Sequence, residues 1–167
     1  NQVMFKKVIV VILIFCSFSL SAQNNQLHPK IIKAVKVFED GNSTKALKLM
    51  TKYLDKYPND YNGYCVRGDL YLSSNYSQAA LNDYKTASKF SDRDAFIEAK
   101  ISSAYMATQD FERAQSRIKK AMKYDPEKGK YHLQNAMILS VMGDCASSNE
   151  FIESGLDLVD DPKEGLI

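Results

Sequence analysis

Small residues recur in this chain every thirty-four positions, and that interval constrains the fold more than any other feature. Ala46, Ala80, Ala114 and Ser148 form one series, and Ala34, Gly68, Ser102 and Ala136 form a second. Large apolar or aromatic residues keep the same spacing at Val37, Tyr71, Tyr105 and Leu139, and again at Met50, Tyr84, Ile118 and Ile152. A period of this length belongs to a supersecondary unit that cannot bury its apolar face alone and therefore stacks on copies of itself. Four contiguous units without an insertion make a helical bundle with fortuitous spacing a poor account of the pattern.

The turn chemistry agrees. Asp40-Gly41-Asn42 and Gly143-Asp144 offer a left-handed residue followed by a helix N-cap, and Gln109-Asp110 and Ser74-Asn75 supply caps at the equivalent places. Tyr57-Pro58-Asn59-Asp60 and Tyr124-Asp125-Pro126 end the second helix of their units, because proline cannot continue a helix.

These residues resemble the tetratricopeptide repeat, a helix-turn-helix unit with small residues at set positions, an aromatic in the first helix and often a closing proline. The resemblance divides residues 27–162 into units at 27–60, 61–94, 95–128 and 129–162, with a short linker at 23–26 and a tail at 163–167. The third unit matches best, with Ser102, Tyr105, Ala114, Ala121 and Pro126 on pattern. Departures lie in the others: Tyr53 is bulky where alanine is usual, Asp92 replaces the proline, Tyr76 sits one place early, Gly155 replaces alanine, and Pro162 is displaced by two. The implied fold is all-α, a right-handed superhelical solenoid of about four helix-turn-helix repeats. Its helix axes approach to about 8–10 Å where the small residues meet.

Ahead of the repeats, Lys6 and Lys7 precede an apolar run from Val8 to Leu20, and Ser21, Ala22 and Gln23 follow it. A basic, then apolar, then small-residue order is that of a secretory leader over residues 1–22, cleaved after Ala22. Its thirteen apolar and small residues would extend about 20 Å as a helix, short of a hydrocarbon core of roughly 30 Å, which disfavours a retained anchor. Cys16 does not read as a lipidation site, because Phe15 stands where a small residue is needed. The chain is therefore expected to be exported by a bacterium, periplasmic or secreted, with no stable membrane span once the leader is removed.

Loss of Lys6 and Lys7 leaves equal numbers of basic and acidic residues. That balance argues against nucleic acid as a partner, since such binding needs a basic surplus on one face.

No constellation reads as catalytic, and no cofactor or metal is expected. His28 and His132 stand alone, with no His-Glu-x-x-His or Cys-x-x-Cys spacing and no glycine-rich phosphate loop. His132 reads as a packing residue and His28 as solvated. Cys65 and Cys145 belong to non-adjacent units, separated by roughly 20 Å of helix layers, so both thiols are expected to be free. The sequons at Asn42 and Asn75 fall in turns, where Asn and Ser are common anyway.

What the resemblance implies instead is a binding surface, a concave groove lined by the first helix of each unit. Carried onto this chain, its lining residues are Ile31, Val35 and Phe38; Asn62, Asp69 and Leu72; Phe96, Lys100, Ser103 and Met106; and Leu133 and Met137. The two-carboxylate clamp of some family members is not met, since Ile31, Val35, Phe96 and Lys100 occupy its positions. An apolar groove holding a peptide or protein segment is the leading expectation. The alternative is a structural scaffold of an envelope assembly, a homo-oligomer formed through an uncapped last helix on which Phe151, Leu156, Leu158 and Val159 need cover.

Overall fold

Each series of small residues marks a point where two helices meet. The computed structural model describes residues 27–159, which form eight α-helices and no strand. The expected leader at 1–22, the linker at 23–26 and the tail at 163–167 lie outside the described residues, as does Pro162. The helices are α1 (Pro29–Glu39), α2 (Ser43–Lys56), α3 (Tyr61–Ser73), α4 (Ser77–Ala87), α5 (Ala95–Ala107), α6 (Phe111–Tyr124), α7 (Gly129–Met142) and α8 (Cys145–Val159). They pack as four hairpins, α1 with α2, α3 with α4, α5 with α6 and α7 with α8, and each hairpin also rests on the next. This is a helical solenoid.

Within the hairpins the small residues are all buried: Ala34 and Ala46, Gly68 and Ala80, Ser102 and Ala114, and Ala136 and Ser148. Two hydrogen bonds show how close the backbones come. Ser102 Oγ donates to the Ala114 carbonyl at 2.8 Å, and Ser148 Oγ donates to the Ala136 carbonyl at 2.9 Å. A side chain with a single atom beyond Cβ thus spans from one helix to the backbone of the other.

Large residues are matched to missing ones. The ring of Tyr84 lies where a side chain at Gly68 would be, and Tyr53 and Leu54 of α2 lie over Gly63 of α3. The bulky Tyr53 therefore fits because the following helix gives up its own Cβ beside it. Leu133 presses on Gly155 in the same way, which accounts for glycine at a position where alanine is usual. The buried side chains form two apolar clusters. One runs from Ile31 and Ala34 through Met50 to Leu70, and the other runs from Cys65 and Tyr84 through Ile101 and Ile118 to Ile138.

Three hairpin turns follow the expected chemistry, with Asn42, Asp110 and Asp144 accepting from Lys45 N, Arg113 N and Ser147 N, each at 3.1 Å. The second turn departs from it. Asn75 adopts the left-handed conformation, with φ 64°, instead of capping, and Tyr76 stands at the N-cap of α4 without a side-chain hydrogen bond. Asparagine is among the few residues that tolerate that conformation, so it takes the place that Gly41 and Gly143 hold in the first and last turns. Gln109 does the same at φ 61°. Tyr76 packs edge-on against Tyr71, at 6.3 Å between ring centroids.

The expectation for His28 is also corrected. It is half-buried at the N-terminus of α1, where Nδ1 accepts from Lys30 N at 3.2 Å and the ring packs against Tyr53 and Tyr57. His132 does pack: its ring nitrogens meet the Pro126 carbonyl and Ser154 Oγ, each at 3.0 Å.

The fit of Tyr84 over Gly68 can be tested directly. A Cβ at residue 68 would stand 2.5 Å from Tyr84 Cε1, and that ring is buried and held by its hydroxyl. Gly68→Ala is expected to lower stability by about 1–3 kcal/mol in urea unfolding, despite the higher helix propensity of alanine. An unchanged or raised midpoint would refute the packing.

Candidate functional site

The stacking sets the first helices side by side, α1 against α3 and α3 against α5, and hydrogen bonds carry the row on to α7. Eleven of the twelve residues expected to line this row are half-buried, and Ile31 is not among them. Ile31 is fully buried in the first apolar cluster, because its position on α1 turns toward the neighbouring helices, as do Cys65 and Ala99 at the same place in the next two units. Leu133 leans instead on Gly155 of α8.

Val35 and Phe38 pack at the edge of the first cluster, and Leu72, Phe96 and Met106 at the edge of the second. Between them the row is bridged by polar groups, among them Asp69, Lys100 and Ser103 of the expected lining. Lys100 Nζ of α5 donates to both carboxylate oxygens of Asp69 on α3, at 2.7 and 2.9 Å, and Tyr84 Oη donates to Asp69 Oδ1 at 2.7 Å. One step along, Gln134 Nε2 of α7 donates to the Ala99 carbonyl at 3.1 Å and to Ser103 Oγ at 3.0 Å. Two cations lie over the Phe96 ring, with Lys100 Nζ 4.5 Å and Lys130 Nζ 5.6 Å from its centroid.

Gln134 and Tyr84 were not among the expected residues. Gln134 shares the register of Lys100, one unit on, so the period itself carries the signal for it. Tyr84 gave no such indication, since it belongs to a second helix and reaches the row only because Gly68 leaves its ring room.

Away from this row, Arg67 forms a two-pronged pair with Asp83, both bonds 2.7 Å, and so fastens α3 to α4. Among the described residues, no three His, Cys, Asp or Glu side chains gather as a metal site would require. Likewise among them, no helix is long and apolar enough to cross a membrane. Cys65 and Cys145 are both free, the first buried and the second exposed.

The fold is that of the tetratricopeptide-repeat solenoids. No protein-family model matches the chain, and no curated protein matches it, but solved structures do. MamA 41-end from Desulfovibrio magneticus RS-1 is similar with a TM-score of 0.71 at 21% identity, over 80% of this chain and 76% of that one. A crystal structure of MamA gives a TM-score of 0.72 at 13% identity, over 89% of this chain and 87% of that one. TTC0263, a thermophilic TPR protein in Thermus thermophilus, gives 0.68 at 22% identity, over 80% and 75% of the two chains.

Burial pushes the Cys65 thiol up to about 12, an effect larger than the opposing pull of Lys100. Because the thiolate is the reactive form, Cys65 is expected to resist alkylation at pH 8 in the folded protein while Cys145 reacts. Peptide mapping after iodoacetamide treatment checks this, and rapid native labelling of Cys65 would contradict its burial.

Proposed function

We propose that this protein is an exported, non-enzymatic interaction module that holds a peptide or protein segment along the row of first helices. The observation that carries this reading is the alternation on that row. Half-exposed Val35, Phe38, Leu72, Phe96, Met106 and Met137 are interleaved with hydrogen-bonding groups that already have fixed orientations. Apolar side chains of a bound segment would pack on the former, Met and Phe adjusting to their shape, while its polar groups meet Lys130, Ser103 and Gln134. The Asp69–Lys100 pair holds two of the helices in register and leaves little net charge, which favours a segment of mixed composition over a strongly acidic or basic one. Non-enzymatic action accords with the absence of any catalytic spacing in the sequence, and export accords with the leader-like order of residues 1–22.

The test is capture of a partner from the producing cell's own envelope by the mature chain, with Phe96→Asp and Met106→Asp as controls. Both side chains are half-exposed, so helicity should be retained. Each substitution is expected to cut recovery at least about tenfold, the scale at which a lost interface anchor is felt. Recovery at the parental level by both variants would exclude the row as the binding surface.

A further inference from the structure

Equivalent positions in a repeat have equivalent surroundings only where a neighbour exists, so the first and last described hairpins show which faces the other described helices leave uncovered. On the second helices, Met50, Tyr84 and Ile118 occupy one register and are 0%, 1% and 0% exposed, whereas Ile152 of α8, in the same register, is 40% exposed. Leu156, one turn further, is 50% exposed. With Cys145 and Asn149 these two side chains form a stripe at helical spacing, all of it exposed. Beside it runs an acidic stripe of Glu150, Glu153 and Asp157, also exposed, and α8 contains no basic residue.

The opposite end of the solenoid is its complement. Leu70, Ala104 and Ile138 share one register on the first helices and are buried against the preceding hairpin, yet the same register on α1 holds the exposed Lys36. Lys33 corresponds to the half-buried Arg67 and to the buried Ile101 and Asn135, and the exposed Ile32 corresponds to the buried Val66 and to the half-buried Lys100 and Gln134. The outward face of α1 thus presents Ile32 and the stems of Lys33 and Lys36, with Lys30 alongside. An acidic helix with an apolar stripe meets a basic helix whose lysine stems can lie along apolar surface.

We propose that α8 of one copy docks on α1 of a second copy, continuing the stack of hairpins across the junction. The occupant is this chain itself, because the register that α1 would take is the one that α3, α5 and α7 already take on the helix before them, and because the charges of the two faces are opposite. Such a contact is heterologous: each copy keeps one free head and one free tail, so association runs to open chains and not to a closed dimer. The tail surface lies on a second helix, and the head surface is the outward face of α1, whose Ile32 borders the row at the register of Lys100 and Gln134. Lys33, Lys36 and Leu156 are not among the residues expected to line the row, so variants at these positions test the contact separately from the binding reading above.

The experiment is sedimentation velocity with light scattering on the mature chain, from Gln23 onward, over a hundredfold concentration range. Two variants accompany it, a tail variant, Leu156→Asp, and a head variant, Lys33→Glu with Lys36→Glu. All three substituted residues are exposed, and circular dichroism verifies retained helicity. The parent is expected to rise with concentration from the mass of one mature chain through a series of larger species, and each variant alone to remain at one chain mass. An equimolar mixture of the two variants should stop at a pair, since only the intact tail of one and the intact head of the other can meet. A parent that stays at one chain mass overturns the proposal, as does a head variant that pairs with itself through its tails, or a mass increase that neither variant alters.

Discussion

Small residues are buried where the two helices of each hairpin meet, and the rest of the structure is arranged around that contact. Ser102 reaching the Ala114 carbonyl and Ser148 reaching the Ala136 carbonyl are the same contact with its two partners exchanged. Any larger side chain at these places would separate the helix axes, and the offset would accumulate from one hairpin to the next. The small residues thus do more than fill a core. They fix the pitch at which hairpins stack, and with it the alignment of the first helices into one row.

That alignment explains why charged groups can be half-buried on the row without destabilising it. Asp69 receives hydrogen bonds from Tyr84 and Lys100, so a carboxylate largely removed from water is met by a cation and a hydroxyl. Gln134 does the neutral equivalent one unit later, satisfying a helix carbonyl and a serine. Removing one member of such a group leaves the others unpaired, and so the row is more rigid than an apolar groove of the same residues would be.

How much of this was legible in the sequence varies with the range of the interaction. The helical hairpins follow from spacing, and the turns at Asn42, Asp110 and Asp144 follow from cap chemistry that a few adjacent residues decide. At Asn75 two local preferences compete, cap and left-handed turn, and one sequence cannot say which prevails. The place of Ile31 in the unit points to the surface, but whether that place faces outward depends on how far the neighbouring helix rotates toward it. Tyr84 was equally hidden, because its contact with Asp69 requires the space left by Gly68, sixteen residues earlier.

The sequence by itself determined the class of fold, since a regular interval of small residues leaves stacked helical hairpins as the economical way to bury the intervening apolar faces. It also determined where the hairpins turn. Tertiary structure alone decided which residues of a repeating register are core and which are surface. Met50, Tyr84, Ile118 and Ile152 are equivalent in the sequence, and they differ in whether a further described helix lies over them. Burial is a property of neighbours, and a period specifies a unit without specifying what stands beside the last one.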